Sequence, residues 1–302
     1  MEALERYRPI VDDFEAFRAA CERPLGSTVR VNTIKASPER AMAAFDEEDV
    51  GYEQADWDPR VLHLETDSPG STWASFHGFT HGQEAVSILP ALVLDPEPGE
   101  RVWDSCAAPG GKATQLADMM DDRGTVVAND SNLGRLSALR FNAERLGVTA
   151  LAVTNADARN FSMRPFSFDE FDRALVDVPC SCEGTIRKNP DALDEWSEGR
   201  VRSVAGVQKG ILCRAIQATR VGGTVVYSTC TFAPEENEAV LDHALDEEAC
   251  EIVSFDLPID HAPGITEWGE ETYDPSVERA ARIYPHHNDT GGFFVAKLEV
   301  TG

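Results

Sequence analysis

From residue 100 onward, short apolar runs alternate with segments in which apolar residues recur at helical spacing. The segments 133–146 and 204–215 each place apolar residues on one helical face. Strands that alternate with helices are typical of a parallel sheet covered on both faces, so we predict an α/β fold. The long stretch 257–290, rich in Pro and Gly, is expected to be a surface insertion near the functional site. The predicted strands are 101–106, 124–130, 151–157, 171–179, 224–230, 251–256 and 291–300.

The beginning of the chain has a different texture. Strand-like runs at 27–35 and 61–65 lie between helical segments, and the apolar segment 82–96 reads as a helix ended by Pro96. We therefore expect a small N-terminal α+β domain over residues 1–70, for which an RRM-like arrangement is one option. The larger domain then covers residues 71–302.

The charge of the chain gives information about its source and its binding partners. The chain has 53 acidic and 27 basic residues, a net charge of −26, and only five lysines. An anionic surface that prefers arginine to lysine suits a cytoplasm at very high salt, so we expect a halophilic source. An acidic protein that avoids nucleic acid is the alternative. The stretch 187–220 is nevertheless locally positive, with seven basic against four acidic residues, and a polyanion could dock there.

Composition also bounds the class of protein. An apolar content of 42% excludes disorder. We expect no membrane span, because no apolar run reaches 18 residues, and no secretory signal, because the N-terminus is charged throughout. Seven cysteines without regular spacing indicate reduced thiols in a cytoplasmic protein rather than a disulfide framework.

A Gly-rich turn at 107–112 follows the first strand of the larger domain. A phosphate-binding P-loop needs Gly and Ser or Thr where this chain has Cys106 and Ala113, and the dinucleotide fingerprint G-x-G-x-x-G is absent. S-adenosylmethionine remains as the ligand. Its carboxylate suits the turn, its ribose suits Asp130 after the second strand, and its adenine amino group suits Asp157 after the third. Either aspartate alone is as readily a helix cap.

Two cysteines, Cys180 and Cys230, each follow a predicted strand, where a parallel sheet presents its ligand crevice. Carbon 5 of a pyrimidine accepts a methyl group only after a thiolate has added to carbon 6, and a base must then remove the carbon-5 proton. Isolated cysteines near strand ends are more often buried apolar residues, which is our interpretation of Cys21, Cys213 and Cys250. A metal site is not expected. The C-x-C spacing of Cys180 and Cys182 differs from the usual C-x₂-C spacing of metal ligands, and no second ligand pair of that kind follows, even when Cys106 and Cys230 are counted.

Adjacent histidines occur near the end of the chain, at His286 and His287. Because side chains of neighbouring residues rarely converge, we expect an exposed or phosphate-facing role for them rather than metal ligation.

The segments DSCAAPGGKATQLA, DVPCSCEGTIRKNP and YSTCTFAPEENEAVL follow one another along the chain, with RVNTIK near its start and RIYPHHNDTGGFFVAKL near its end. These ordered motifs resemble those of the NOL1/NOP2/sun family of RNA 5-methylcytosine methyltransferases, in particular its archaeal members that act on tRNA. The resemblance covers nearly the whole chain.

The resemblance implies a Rossmann-like class I methyltransferase fold with a mostly parallel seven-stranded sheet. It implies that Cys230 attacks carbon 6, that Cys180 assists product release and that Asp177 faces the target cytosine. Cys182 departs from the family, which commonly has glycine there, and puts the local loop geometry in question. The implied cofactor contacts are Cys106, Ala107, Ala108, Pro109, Gly110, Gly111, Lys112, Asp130, Arg135, Asp157 and Asp177.

We therefore predict a cytoplasmic, monomeric, S-adenosylmethionine-dependent RNA cytosine-C5 methyltransferase that acts on tRNA, with rRNA as the alternative substrate. The stretch 187–220 and the N-terminal domain are expected to hold the RNA. One alternative of another class is a non-catalytic RNA-binding or ribosome-assembly factor that retains the fold. DNA C5-methylation is another, and there Cys180 would be the nucleophile.

Overall fold

The computed structural model describes residues 2–194 and 196–302. The helices are α1 (Phe14–Cys21), α2 (Pro38–Glu47), α3 (Trp73–Phe76), α4 (Ala85–Leu94), α5 (Gly111–Met119), α6 (Leu136–Leu146), α7 (Glu198–Ala218), α8 (Glu238–Glu247) and α9 (Pro285–Asn288). The strands are β1 (Ser27–Val31), β2 (Tyr52–Gln54), β3 (Val61–Leu64), β4 (Thr80–Gly82), β5 (Arg101–Asp104), β6 (Thr125–Asn129), β7 (Leu151–Thr154), β8 (Phe171–Asp177), β9 (Thr219–Thr229), β10 (Cys250–Val253), β11 (Ala262–Pro263), β12 (Glu267–Trp268), β13 (Glu271–Thr272), β14 (Ala281–Ile283) and β15 (Phe293–Val300).

The central sheet contains five parallel strands in the order β9-β8-β5-β6-β7. The antiparallel strand β15 lies beside β9, and β10 pairs with the far edge of β15. These seven strands confirm the predicted mostly parallel α/β sheet. The chain leaves β5 toward β6 and β7 and returns to β8 on the other side, so the strand order reverses between β5 and β8. Ligands of open parallel sheets bind at such a reversal, beyond the carboxyl ends of the strands.

Alternation along the strands divides the core into two layers. Trp103 and Val176 face one side, where they pack with residues of α7 and α8. Their neighbours Val102 and Leu175 face the other side, where they pack with residues of α4, α5 and α6. Because successive side chains of a strand point to opposite faces, continuous apolar runs such as these require a sheet covered on both sides.

The N-terminal part forms a separate antiparallel sheet in the order β2-β3-β1-β4, with α2 packed on it through Ala41 and Phe45. Its strand β4 lies beyond residue 70, so the sheet continues past the domain boundary expected from the sequence. The first helices do not belong to this sheet. Tyr7 and Phe17 instead pack against Phe232 and Tyr284 of the larger part of the chain.

The stretch 257–290 differs from the expected surface insertion. It contains α9 and the short strands β11 to β14, and β14 extends the central sheet by pairing with β15. Arg282 in β14 is buried and forms an ion pair with the buried Glu238 of α8. A charge removed from water needs such a partner, so this part of the insertion belongs to the core.

Two further expectations concern the surface. No helix within residues 2–194 and 196–302 is long and apolar enough to cross a membrane. Three arginines of the basic stretch 187–220 form ion pairs within the protein. Arg187 is buried and pairs with Asp289, while Arg202 and Arg220 pair with Glu198 and Asp172.

Candidate active site

Three loops meet at the carboxyl edge of the parallel sheet because β5, β8 and β9 are direct neighbours. They are the Gly-rich turn after β5, the loop 178–182 after β8 and the loop that starts at residue 230 after β9. Residues 291–293, just before and at the start of β15, close the same space. The result is a cavity of about 290 Å³, close to the lower end of the range for small-molecule sites.

Three sulfur atoms form a cluster at this cavity. Cys180 Sγ lies 3.2 Å from Cys230 Sγ and 3.8 Å from Cys182 Sγ. Cys230 lines the cavity, and Cys180 is buried behind it. The structure thus brings together the two thiols singled out in the sequence. It adds Cys182, whose backbone has a φ of 66°, a left-handed conformation that glycine adopts more easily.

The pKa values of the three thiols depend on one another. Hydrogen bonds from Cys180 and Cys230 lower the pKa of Cys182 to about 3. Hydrogen bonds to Cys182 and Cys230, together with burial, raise the pKa of Cys180. At Cys230 the hydrogen bond from Cys180 favours the thiolate, but the Cys182 sulfur and burial outweigh it and raise the pKa. Within the cluster, the thiolate form is therefore favoured at Cys182 over Cys180 and Cys230.

The last residue of the Gly-rich turn, Lys112, pairs with Asp177 at the cavity wall. Lys112 Nζ is 2.7 Å from Asp177 Oδ2 and donates a hydrogen bond of 2.9 Å to Ser87 Oγ. Ser228 donates to the other oxygen of Asp177 at 2.7 Å. Burial disfavours the charged lysine, but Asp177 and Asp104 outweigh it and raise the pKa of Lys112. Asp177 is thus held in position at the cavity wall.

The predicted cofactor residues of the turn all lie at the cavity or next to it. Cys106, Ala107, Ala108, Pro109, Gly111 and Lys112 line it. Gly110 precedes α5 with a φ of 105°, and a Cβ there would press on Leu139 at 3.3 Å.

Besides Asp177, three predicted cofactor residues lie outside the turn, and each has a partner within the protein. Asp130 is 3% exposed and accepts from the Ala108 amide at 3.2 Å, which links the turn to the end of β6. Arg135 pairs with Asp130 at 3.3 Å and donates to the Ala108 carbonyl. Asp157 does not line the cavity; it accepts three hydrogen bonds from the Arg159 guanidinium, at 2.6, 3.0 and 3.1 Å.

Asp104 was not singled out in the sequence, although it begins the motif DSCAAPGGK. It ends β5 in the cavity wall and is 1% exposed. Neither carboxylate oxygen makes a well-formed hydrogen bond to the described residues. Burial, with the nearby Asp177 carboxylate, raises the pKa of Asp104 to about 7. A buried acceptor pair without donors is costly unless a bound ligand supplies them.

Two buried glutamates join the cysteine loops and were also missed. Glu183 accepts hydrogen bonds from Tyr7 at 2.7 Å, Ser181 at 2.6 Å and the Thr231 hydroxyl. Glu236 accepts from the Ser181 amide at 3.0 Å, and burial raises the pKa of Glu236 to about 7. Both residues stand inside motifs quoted for their cysteines, but only the fold shows that they bind the same loop.

A second cluster corrects our expectation for the adjacent histidines. His286 Nε2 and His287 Nε2 both lie within hydrogen-bond distance of the Asp12 carboxylate. The turn of α9 directs both rings to one point, so neighbouring side chains converge here. Among the described residues, this cluster and the three thiols are the groups close enough to hold a metal ion.

The parallel sheet, the Gly-rich turn after β5 and the thiols after β8 and β9 define a Rossmann-like methyltransferase. Residues 91–299 match the model of the 16S rRNA methyltransferase RsmB/F family, and the chain belongs to that family. The predicted family, fold class and RNA methyltransferase activity are thereby confirmed.

Curated relatives of two kinds are similar to this chain. It is 36% identical over 298 residues to the tRNA (cytosine(49)-C(5))-methyltransferase of Pyrococcus abyssi, covering 98% of this chain and 94% of the relative. It is 35% identical over 307 residues to ribosomal RNA small subunit methyltransferase F of Vibrio parahaemolyticus, covering 99% of this chain. The chain spans only 62% of that ribosomal relative.

Solved structures agree with the fold. A methyltransferase homologue protein from Pyrococcus horikoshii is 31% identical, with a TM-score of 0.86 over 98% of this chain and 93% of that one. NSun6 from Pyrococcus horikoshii, solved with SFG, has a TM-score of 0.85 over 99% of this chain and 97% of that one. At 22% identity, the second comparison supports the fold alone.

Proposed function

We propose that this protein methylates carbon 5 of a cytosine in RNA, with S-adenosylmethionine as methyl donor and Cys230 as nucleophile. The observation that carries the proposal is the distance of 3.2 Å between Cys180 Sγ and Cys230 Sγ, beside a cavity that the Gly-rich turn also lines. Methylation of an exocyclic amine needs no enzyme nucleophile. Methylation at carbon 5 needs one group to attack and another to handle a proton, which two adjacent thiols provide.

The residues at the turn fit S-adenosylmethionine. The Asp104 carboxylate lacks well-formed hydrogen bonds, and the ammonium of the methionine portion offers three donors and a positive charge. The amide groups at the start of α5 suit the carboxylate of the same portion. Asp157 contacts the adenine in this proposal only if it leaves its pair with Arg159.

The chain's own residues then divide the reaction into steps. Proton transfer within the sulfur cluster moves the thiolate to Cys230, whose sulfur bonds to carbon 6 of the cytosine. When bound, S-adenosylmethionine would supply an electrophilic methyl group for carbon 5 and would leave as the uncharged thioether. Cys180, next to Cys230, is placed to take the carbon-5 proton after its own thiol proton has passed to solvent. The electrons of that C–H bond then restore the double bond between carbons 5 and 6, the bond between Cys230 and carbon 6 breaks, and the product departs, leaving Cys230 as a thiolate. Asp177, held by Lys112 and Ser228, faces the amino group of the base.

The cytosine must leave its base stack to offer carbon 6 to a thiol in the cavity wall. The target class that we favour is tRNA, because the tRNA methyltransferase of Pyrococcus abyssi is matched over 94% of its length. Ribosomal RNA is the second candidate, supported by the names of the ribosomal relatives. Lys188 is exposed at the cavity mouth and is a candidate phosphate contact, together with the N-terminal sheet.

Trapping with a fluorinated substrate tests the reaction. When fluorine replaces the hydrogen at carbon 5 of the cytosine, there is no carbon-5 proton to remove and the enzyme cannot be released. The covalent adduct should therefore persist in denaturant when S-adenosylmethionine is present. We expect an adduct with the wild type and with Cys213→Ala, a control thiol away from the cavity. Cys230→Ala should give none. Cys180→Ala should accumulate adduct even with unmodified RNA, because product release is impaired.

Three outcomes would change the proposal. An adduct that survives Cys230→Ala but is lost in Cys180→Ala would reverse the two roles. The absence of adduct with every cellular RNA would favour a binding factor without catalysis. Bisulfite sequencing of RNA from a deletion strain then identifies the modified base. If methylation is lost only from rRNA in that strain, rRNA and not tRNA is the target.

A further inference from the structure

The carboxylate of Asp12 receives two imidazole nitrogens at once. His286 Nε2 lies 2.9 Å from Asp12 Oδ1, and His287 Nε2 lies 3.2 Å from the same oxygen and 3.1 Å from Oδ2. The two imidazole rings are 4.3 Å apart between centroids. Two histidines and a carboxylate whose ligand atoms share one small space are a donor set that divalent transition metals bind in proteins.

Contacts between the N-terminal segment and the segment around α9 bring these three side chains together. Tyr284, just before α9, donates a hydrogen bond to the Ile10 carbonyl at 3.1 Å. Phe17 of α1 packs edge-on against the rings of Tyr284 and His286. These contacts hold the segment that carries Asp12 against α9. The two histidine side chains are 9% and 14% exposed, so their rings are largely fixed by packing.

We propose that Asp12, His286 and His287 form a binding site for one divalent transition-metal ion such as Zn²⁺. The Asp12 side chain is 65% exposed, so the ion reaches the site from solvent and water completes its coordination. The site lies outside the catalytic cavity, since none of its three residues lines it. Its ligands connect residue 12 to the segment that leads through Thr290 to the cavity wall at Gly291 and Gly292.

The second ring nitrogens limit the expected affinity. An imidazole that binds a metal through Nε2 carries its proton on Nδ1, and metal-binding histidines usually donate that proton to a neighbouring group. Nδ1 of His286 and of His287 is buried without a partner among the described residues. We therefore expect affinity in the micromolar range rather than that of a closed structural zinc site.

Cobalt is the probe for the test, because its absorption spectrum reports its ligands. The full chain, stripped with chelator, is titrated with Co²⁺ on a background of Cys180→Ser, Cys182→Ser and Cys230→Ser, which removes the competing thiol cluster. We expect one equivalent to bind without a sulfur-to-cobalt charge-transfer band, and Zn²⁺ to displace it. Each of Asp12→Asn, His286→Ala and His287→Ala should weaken binding at least tenfold.

The exposed His261 provides the matched control, and His261→Ala should bind Co²⁺ like the background protein. The midpoint of thermal unfolding should rise with Co²⁺ in the background and control proteins and stay unchanged in Asp12→Asn. No binding by the background protein, or equal binding by all variants, would overturn the site. If a histidine variant fails to fold, Asp12→Asn decides alone, because an exposed isosteric change leaves the packing intact.

Discussion

Gly184→Ala is the substitution that tests the site geometry most directly. Gly184 donates its amide hydrogen to the Cys230 carbonyl at 2.9 Å and accepts from the Gly292 amide at 2.8 Å. Gly184 therefore joins three segments: the chain that follows the loop 178–182, the loop that starts at Cys230, and the residues just before β15 in the cavity wall. A Cβ at this position would lie 2.2 Å from the Gly292 oxygen and 2.9 Å from the Cys230 oxygen.

The expected magnitude follows from those distances. Side-chain carbons essentially never approach other heavy atoms within 3.0 Å, so the segments must separate by roughly 1 Å. Overpacking of this kind costs about 1–3 kcal/mol, and weakening the two hydrogen bonds adds about 1 kcal/mol. For a chain of this length we expect the unfolding midpoint to fall by roughly 3–6 °C. Misplacing the Cys230 loop by that distance should lower kcat by about 100-fold.

Gly206→Ala is the matched control, because a Cβ there meets nothing within 4 Å and the residue lies inside the long helix α7. It should gain roughly 0.5–1 kcal/mol in stability through helix propensity and leave the methylation rate unchanged. Differential scanning calorimetry measures the stability, and methyl transfer to the proposed tRNA substrate measures the rate. Wild-type stability and kcat in Gly184→Ala would show that the three segments are not locked together and that our view of the site is wrong.

Three further predictions concern charge. Because Asp104 has a pKa of about 7, its carboxyl group becomes neutral in more acidic solution. The affinity for S-adenosylmethionine should therefore fall as the pH decreases below 7. Asp104→Asn should remove this pH dependence and raise the KM for the cofactor about tenfold. Iodoacetamide at pH 6 should label Cys182 before the other thiols, and in Cys182→Gly this rapid labelling should vanish while methylation persists. Raising KCl should raise the unfolding midpoint, because a net charge of −26 repels itself; an unchanged midpoint would contradict the halophilic interpretation.

The buried position of Asp104 also has a consequence for the free protein. Its folded-state pKa lies above the ordinary carboxyl value, because burial and Asp177 disfavour the charge. The contribution of Asp104 to the free energy of unfolding is therefore fully present below the ordinary carboxyl pKa, and it is lost as the pH rises from there through 7. The bound cofactor should reverse this loss, which calorimetry with and without S-adenosylmethionine measures.

Local sequence patterns were sufficient to predict most of the fold of residues 71–302 and the location of the candidate site. Apolar runs predicted the parallel strands, and the residues just after them, including Cys180 and Cys230, had to meet because carboxyl ends of neighbouring parallel strands share one edge. The same logic placed Asp130 at the turn, where it accepts from the Ala108 amide. These inferences need only the alternation of strand and helix, which every residue of a run helps to establish.

The tertiary structure decided what depends on contacts between distant segments. The sequence by itself determined an α/β sheet with two thiols at its carboxyl edge. Only the fold placed Cys182 beside them, buried Arg187 instead of leaving it free for RNA, and brought Asp12 to His286. The physical reason is that strand and helix periodicity is repeated along many neighbouring residues. A single contact between residues 274 positions apart has no such repetition in the sequence, and it forms only when packing has fixed both ends.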